Sequence, residues 1–167
     1  MNKKSIDSTY RDQEWLENLL ADIWYRYFSD VDQSNKVVIR YGRKAKRRLG
    51  SISLDPNDQL TSIITINPIY QDLSVPEYVV VATIVHEMTH YAHGFNSPLD
   101  QRHQHPHSGG IIKAEFAERG LEDMFVKQRK WLKTNWPTMV ERYFGPQMPK
   151  FRYTSPKKVP IPKWFRI

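Results

Sequence analysis

Between Tyr78 and Val85 the chain is apolar at every position but Thr83, and this stretch runs unbroken into His86-Glu87-Met88-Thr89-His90. A helix that is apolar all round has to be buried, and Pro76 suits the first turn of one. The pattern predicts a buried helix from about Val75 to His93 whose last turns carry two imidazoles and a carboxylate.

Four residues apart on a helix, His86 and His90 lie one above the other on one face, where both rings can reach a single ion. Glu87 sits one step round, near the position such an ion leaves open, where a carboxylate holds a water and accepts its proton as the oxygen attacks a carbonyl. These residue types at this spacing point to one Zn2+ per chain, with His86 and His90 as metal ligands and Glu87 as the catalytic base. A catalytic zinc takes a third protein ligand and keeps one position for water. His93 continues the helix but is turned away from the His86 side, which places it behind the metal or on the surface. Past Tyr91 the helical pattern dissolves into Gly94, Asn96, Pro98 and Gln101, then His103, His105, His107 and Gly109-Gly110, which read as a loop. His107, where that loop meets the next helix, is the preferred third ligand; His103, His105, Glu115 and Glu118 stay open as alternatives. The metzincin pattern would need Gly at 93 and His at 96, where this chain has His93 and Asn96.

The rest of the chain predicts a single α+β domain. Trp15, Leu16, Leu19, Leu20, Ile23, Trp24, Tyr27 and Phe28 recur with a helical period, and Thr9 to Asp12 offers a start signal. Three β-rich runs follow, Val37 to Tyr41, Ser51 to Leu54 and Ile63 to Asn67, separated by turn residues. They are expected to form a small three-stranded antiparallel sheet. After the histidine loop a long third helix is expected from Ile111 to about Thr134, then a short one from Thr138 to Phe144 that stops at Gly145-Pro146. Residues 1–145 make up the domain, and 146–167, with five prolines, an extended basic and aromatic tail.

Cysteine is absent, which excludes a disulfide framework, a catalytic thiol and a Cys-based zinc ribbon, so any metal must sit on His and carboxylates. The N-terminus is not followed by an apolar segment and no stretch approaches the roughly 20 apolar residues of a membrane span. The expected partners therefore include no membrane, and the expected home is the cytoplasm, or the nucleus of a eukaryote.

Gly42-Arg43, Arg47-Arg48-Leu49-Gly50-Ser51, Ile63-Ile64-Thr65-Ile66-Asn67-Pro68, Thr83-Ile84-Val85-His86-Glu87-Met88-Thr89-His90 and then His107 with a glycine nearby resemble, in their order and spacing, the SprT-like domain of the Spartan DNA-protein crosslink proteases. The resemblance covers roughly residues 10 to 135. It implies a zincin-like fold, a zinc-dependent endopeptidase with three His ligands and a Glu base, and activity coupled to DNA. Carried over residue by residue, it implies His86, His90 and His107 as ligands and Glu87 as base. Two features depart from the pattern: many bacterial relatives add a Cys-rich zinc ribbon, absent here, and the third histidine of the family is usually followed by Gly, where this chain has Ser108.

Charge adds a reading of its own. Arg40 to Arg48 holds six basic residues and no acid, as does Pro146 to Ile167, leaving 13 basic against 18 acidic residues elsewhere. Arg43, Lys44, Lys46, Arg47 and Arg48 in the first segment, and Lys157, Lys158 and Trp164 in the second, are the candidate nucleic-acid contacts, since cations meet phosphates and aromatic faces stack on unpaired bases. Tail aromatics docked on the protein's own surface would look the same in sequence. The expected partners are a protein substrate and DNA, single-stranded DNA included. A peptidase without DNA coupling, and a non-enzymatic nucleic-acid-binding module with structural zinc, are the alternatives; a structural site closes with four protein ligands and has no use for Glu87 beside an open position.

Overall fold

The computed structural model describes residues 10–105 and 107–147. Helix α1 spans Gln13–Tyr27, followed by strands β1, Val37–Tyr41, β2, Gly50–Leu54, and β3, Ser62–Ile66. A 3-10 turn at Pro68–Gln71 leads to α2, Glu77–Ala92, and after the histidine loop come α3, Ile111–Glu118, and α4, Glu122–Phe144. The fold is α+β, with a helix at the N-terminus, a small sheet, the buried His-Glu helix and a long final helix. Lys157, Lys158 and Trp164 lie outside the described residues.

Helix α1 starts where Asp12 caps it, its carboxylate accepting from the Trp15 amide at 2.8 Å. Its stripe of Trp15, Leu16, Leu19, Leu20 and Ile23 is buried against the sheet and α2, joining Ile39, Ile64, Val80 and Ile84 in one core. Helix α2 is buried nearly throughout, as an apolar helix must be: Val79, Val80, Ala82, Ile84, Val85 and Met88 show no exposure.

The sheet is mixed, not antiparallel, with strand order β1-β3-β2. Strand β2 pairs antiparallel with β3, Ile52 opposite Ile64, but β1 pairs parallel with β3, Ile39 opposite Ile64. The reason lies in the two connections. Residues 55–61 make a tight return, in which Asp58 accepts from the amides of Leu60 and Thr61, so β2 and β3 form a hairpin. Residues 42–49 instead arch over the end of β3. The arch is held by Asn67, whose side-chain amide donates to the carbonyls of Ala45 and Arg48 and whose own amide donates to Leu49. That arch carries the chain to the far side of β3 before β2 begins.

The expected long third helix is two helices. Gly120 at φ +71° ends α3, with the Gly120 amide bonded to the Ala117 carbonyl and the Leu121 amide to that of Phe116, the paired bonds of a left-handed helix stop. Helix α4 then passes through Pro137 without the expected break. A proline there removes one backbone hydrogen bond and disfavours the helix by about 3 kcal/mol, yet the turns after it are held from outside. Met139 and Val140 are buried, Trp136 donates to the Lys46 carbonyl at 2.8 Å, and Arg142 and Tyr143 both reach Asp72 at 2.9 Å. Among the described residues no helix is long and apolar enough to cross a membrane.

Candidate metal centre

The last two turns of α2 present His86 and His90 with their Nε2 atoms 3.1 Å apart. His107, on the loop before Gly109-Gly110 and α3, closes the group: its ring centre lies 4.6 Å from that of His90 and 5.6 Å from that of His86. One ligand atom from each of the three rings falls within 4.8 Å of the others, so the group could hold a metal ion. Two nitrogens bound to a tetrahedral ion at about 2.0 to 2.1 Å sit about 3.3 to 3.4 Å apart, which the His86–His90 pair already approximates. Burial, and then the neighbouring His107, lowers the His86 pKa to about 4; burial, followed by His86, His107 and His93, lowers that of His90 to about 3. Both rings are therefore neutral near pH 7 and keep a lone pair for a ligand.

The loop that supplies His107 is tied down along its length. The Asn96 side chain donates to the Ile52 carbonyl and the Asn96 carbonyl accepts from Ser62, fastening the loop to the sheet. Further on, the Arg102 amide donates to the His93 carbonyl, and the Ser108 amide and hydroxyl both bond to the carbonyl of His105.

Glu87 is buried beside the same cleft. Burial pushes its carboxyl up to about 7, partly opposed by the backbone of Ile52. The sheet reaches it through Gly50: a Cβ there would stand 2.9 Å from Glu87 Oε1 and 2.9 Å from the Thr83 methyl. Thr83, one turn before Glu87, bonds to Tyr70 and to Gln128 of α4, both at 3.0 Å. Sequence reasoning missed the parts played by Gly50, Tyr70, Thr83 and Gln128. Gly50 and Thr83 enter the sequence reading only as parts of the stretches that carry the resemblance, and Tyr70 and Gln128 give no signal.

Of the alternative ligands, none joins the cluster. Glu115, buried on α3, accepts from His93 at 2.9 Å and from Arg119 at 2.8 Å. Burial alone would raise its pKa, but those two bonds outweigh it and hold the carboxyl below its usual value. The His103 ring packs on His93 with centres 4.8 Å apart, while His105 and Glu118 are exposed. His93 is buried behind the metal group rather than on the surface.

A cavity of about 830 Å³ opens in front of His86, Glu87 and His107, walled on one side by Arg47 to Gly50 and on the other by α3 and the Phe125 to Leu132 stretch of α4. The basic run 43–48 is thereby divided. Arg47 and Arg48 line this cavity; Lys44 lies over the Tyr143 ring and Lys46 over the Phe144 ring, at 4.8 and 5.4 Å. Arg43 is exposed.

Compared with known proteins, the chain matches no family model, no curated protein and no solved structure.

Proposed function

We propose that the chain is a zinc-dependent endopeptidase of the SprT-like kind, acting on proteins held on DNA. The observation that carries the reading is the convergence of three imidazoles on one point with a buried carboxylate, Glu87, lining the same cavity. Three imidazole nitrogen donors suit zinc, and a set of three leaves the fourth position open. When bound, zinc supplies Lewis acidity at that position, to the attacking water and to the carbonyl oxygen.

The chain's own groups do the rest. His86, His90 and His107 would hold the ion. Glu87, with a carboxyl whose burial favours the protonated form, takes a proton from the attacking water as the new C–O bond forms, and gives it to the amide nitrogen as the C–N bond breaks. Gly50 lets the sheet edge press on that carboxylate and fix its direction. Glu87 also weighs against a purely structural zinc, for which a buried base beside an open position would only cost desolvation.

DNA coupling is favoured by a second observation. Lys46 donates to Gln147 at 2.6 Å, so the basic run that starts at Arg43 meets the root of the basic tail, and the two segments can act as one phosphate-binding surface.

Glu87→Gln tests the reading, because the amide keeps the shape but cannot accept a proton at neutral pH. With a DNA-binding protein as substrate, hydrolysis should fall by about 10² to 10⁴ while metal content stays the same, and single-stranded DNA should stimulate only the wild type. Near wild-type turnover at full metal occupancy would sink the mechanism. A wild type indifferent to DNA would leave a peptidase without DNA coupling.

A further inference from the structure

We propose that the cleft in front of the metal centre selects an extended peptide in which acidic residues flank an apolar side chain. The proposal rests on the peptidase reading and adds its substrate class. The charge of the cleft is one-sided: among the described residues Arg47, Arg48, Lys113 and Arg129 line it, against the single carboxylate of Glu87. Lys113 pairs with Glu122 at 3.4 Å, but among the described residues Arg47, Arg48 and Arg129 have no carboxylate partner. Cations along low-dielectric walls focus the field and concentrate anionic ligands between them. Arginine in particular binds a carboxylate through two parallel hydrogen bonds.

Between those cations the wall is apolar, formed by Leu49, Ile111, Phe125, Val126 and Leu132. Val126 is 55% exposed although it faces the cleft, on a helix whose other exposed residues are mostly polar. A side chain laid on this stripe would gain about 25 cal/mol for each Å² of apolar surface removed from water. The occupant is therefore anionic at its flanks and apolar at its centre.

A nucleic acid would answer the charge but not the wall. Binding of unpaired bases depends on flat aromatic faces. Among the described residues, histidines aside, Phe125 is the one aromatic ring lining the cleft, and the Arg129 guanidinium lies over it at 5.5 Å from the ring centre. The rest of the wall is aliphatic. DNA and peptide are accordingly served by different cations, DNA by Arg43, Lys44 and Lys46, peptide by Arg47, Arg48, Lys113 and Arg129.

The test uses the full-length, metal-loaded Glu87→Gln protein and fluorescence anisotropy of labelled decapeptides with a central Leu-Leu flanked by Glu or by Lys. The Glu peptide should bind on the order of tenfold tighter or more, and the margin should shrink as salt rises. Arg129→Glu should erase or reverse the preference without changing metal content, and Arg129→Gln, a milder change at an exposed site, should reduce it. Equal binding of the two peptides, or preference for Lys, overturns the proposal. So does full displacement of the Glu peptide by a single-stranded oligonucleotide whose own affinity falls in Arg129→Glu, since that assigns the cleft to nucleic acid. If Glu87→Gln binds with the stated preference but wild type does not cut the peptide, the peptidase reading fails and the ligand class stands. If wild type cuts both peptides equally, the ligand class fails and the peptidase stands.

Discussion

Two clusters of ionisable side chains meet at the C-terminal end of α2, one around His86 and His90 and the other around His93 just past it, and they are built on opposite rules. At the candidate metal centre His86, His90 and His107 face one another, and among the described residues no acid or guanidinium is bonded to any of them. Behind it, His93 is paired with Glu115, Glu115 with Arg119, and Arg119 with Asp30, at 2.6 to 2.9 Å, with the Arg119 guanidinium lying over the Phe28 ring. Each cluster is partly buried, with His107 exposed in the one and Asp30 in the other, so burial does not separate them; the partners do. Crowded together without a counter-charge, His86 and His90 are held neutral by burial and by their neighbours and keep lone pairs for something from outside. Opposite groups that satisfy each other become a strut, here one that ties α3 to α2 and to the end of α1 and thereby fixes the loop bearing His107.

The largest effect expected from this contrast is on metal content. His90→Ala should reduce bound metal from about one equivalent per chain to near none, because two of three ligands rarely suffice. His103→Ala, whose ring packs on the strut, should keep it. Elemental analysis of the purified variants checks both, and full occupancy in His90→Ala would break the comparison.

A smaller effect is expected where the sheet meets Glu87, the proposed base. In Gly50→Ala the new methyl must displace Glu87 or Thr83, since neither neighbour is farther than 2.9 Å. A misplacement on the scale of 1 Å is worth about 10² in rate. Turnover should fall by about that factor while metal content and KM change little. An unaltered turnover number would mean that Glu87 has room to move, and the close approach would lose its functional meaning.

How much of this was legible in the sequence follows from which forces act locally. The apolar period of α1 and the apolar run of α2 gave both helices nearly to the residue, because burial of those faces is decided by the helices' own side chains. Strand positions were legible for the same reason, but strand direction was not. It depends on whether residues 42–49 turn back or arch over, and that is settled by Asn67, far along the chain. The expected helix bounds run through Gly120 and break before Thr138; the structure reverses both, because Gly120 takes a left-handed φ of +71° that stops α3, while contacts of Trp136 with Lys46 and of Arg142 with Asp72 hold α4 on either side of Pro137. His86, Glu87 and His90 could be placed together from their spacing alone. His107 is preferred from its place where the loop meets the next helix, but spacing leaves Glu115 and His103 open, and it is His93 that withdraws both of them from the metal group.

The smallest effect concerns the strut itself and is best read against pH. Glu115→Gln keeps the size of the side chain and its power to accept hydrogen bonds, but removes the charge that Arg119 faces; hydrogen bonds to a charged group are worth about 1.5 to 3 kcal/mol. At pH 7 the variant should be less stable than wild type by an amount of that order, with metal content unchanged. The folded pKa of Glu115 lies below its ordinary value, so the unfolded chain takes up the proton first as pH falls. Its contribution is fully present above the unfolded value of about 4.3 and is lost as pH falls through the folded one. The stability difference between wild type and Glu115→Gln, from urea unfolding, should therefore be constant from pH 7 to about 5 and shrink towards pH 3. Both proteins keep His86, His90 and His107, so any acid-driven metal loss cancels in that difference. A gap that stayed constant through pH 3 would show that shape, not charge, holds α3 in place, and the contrast between site and strut would have to be drawn on packing alone.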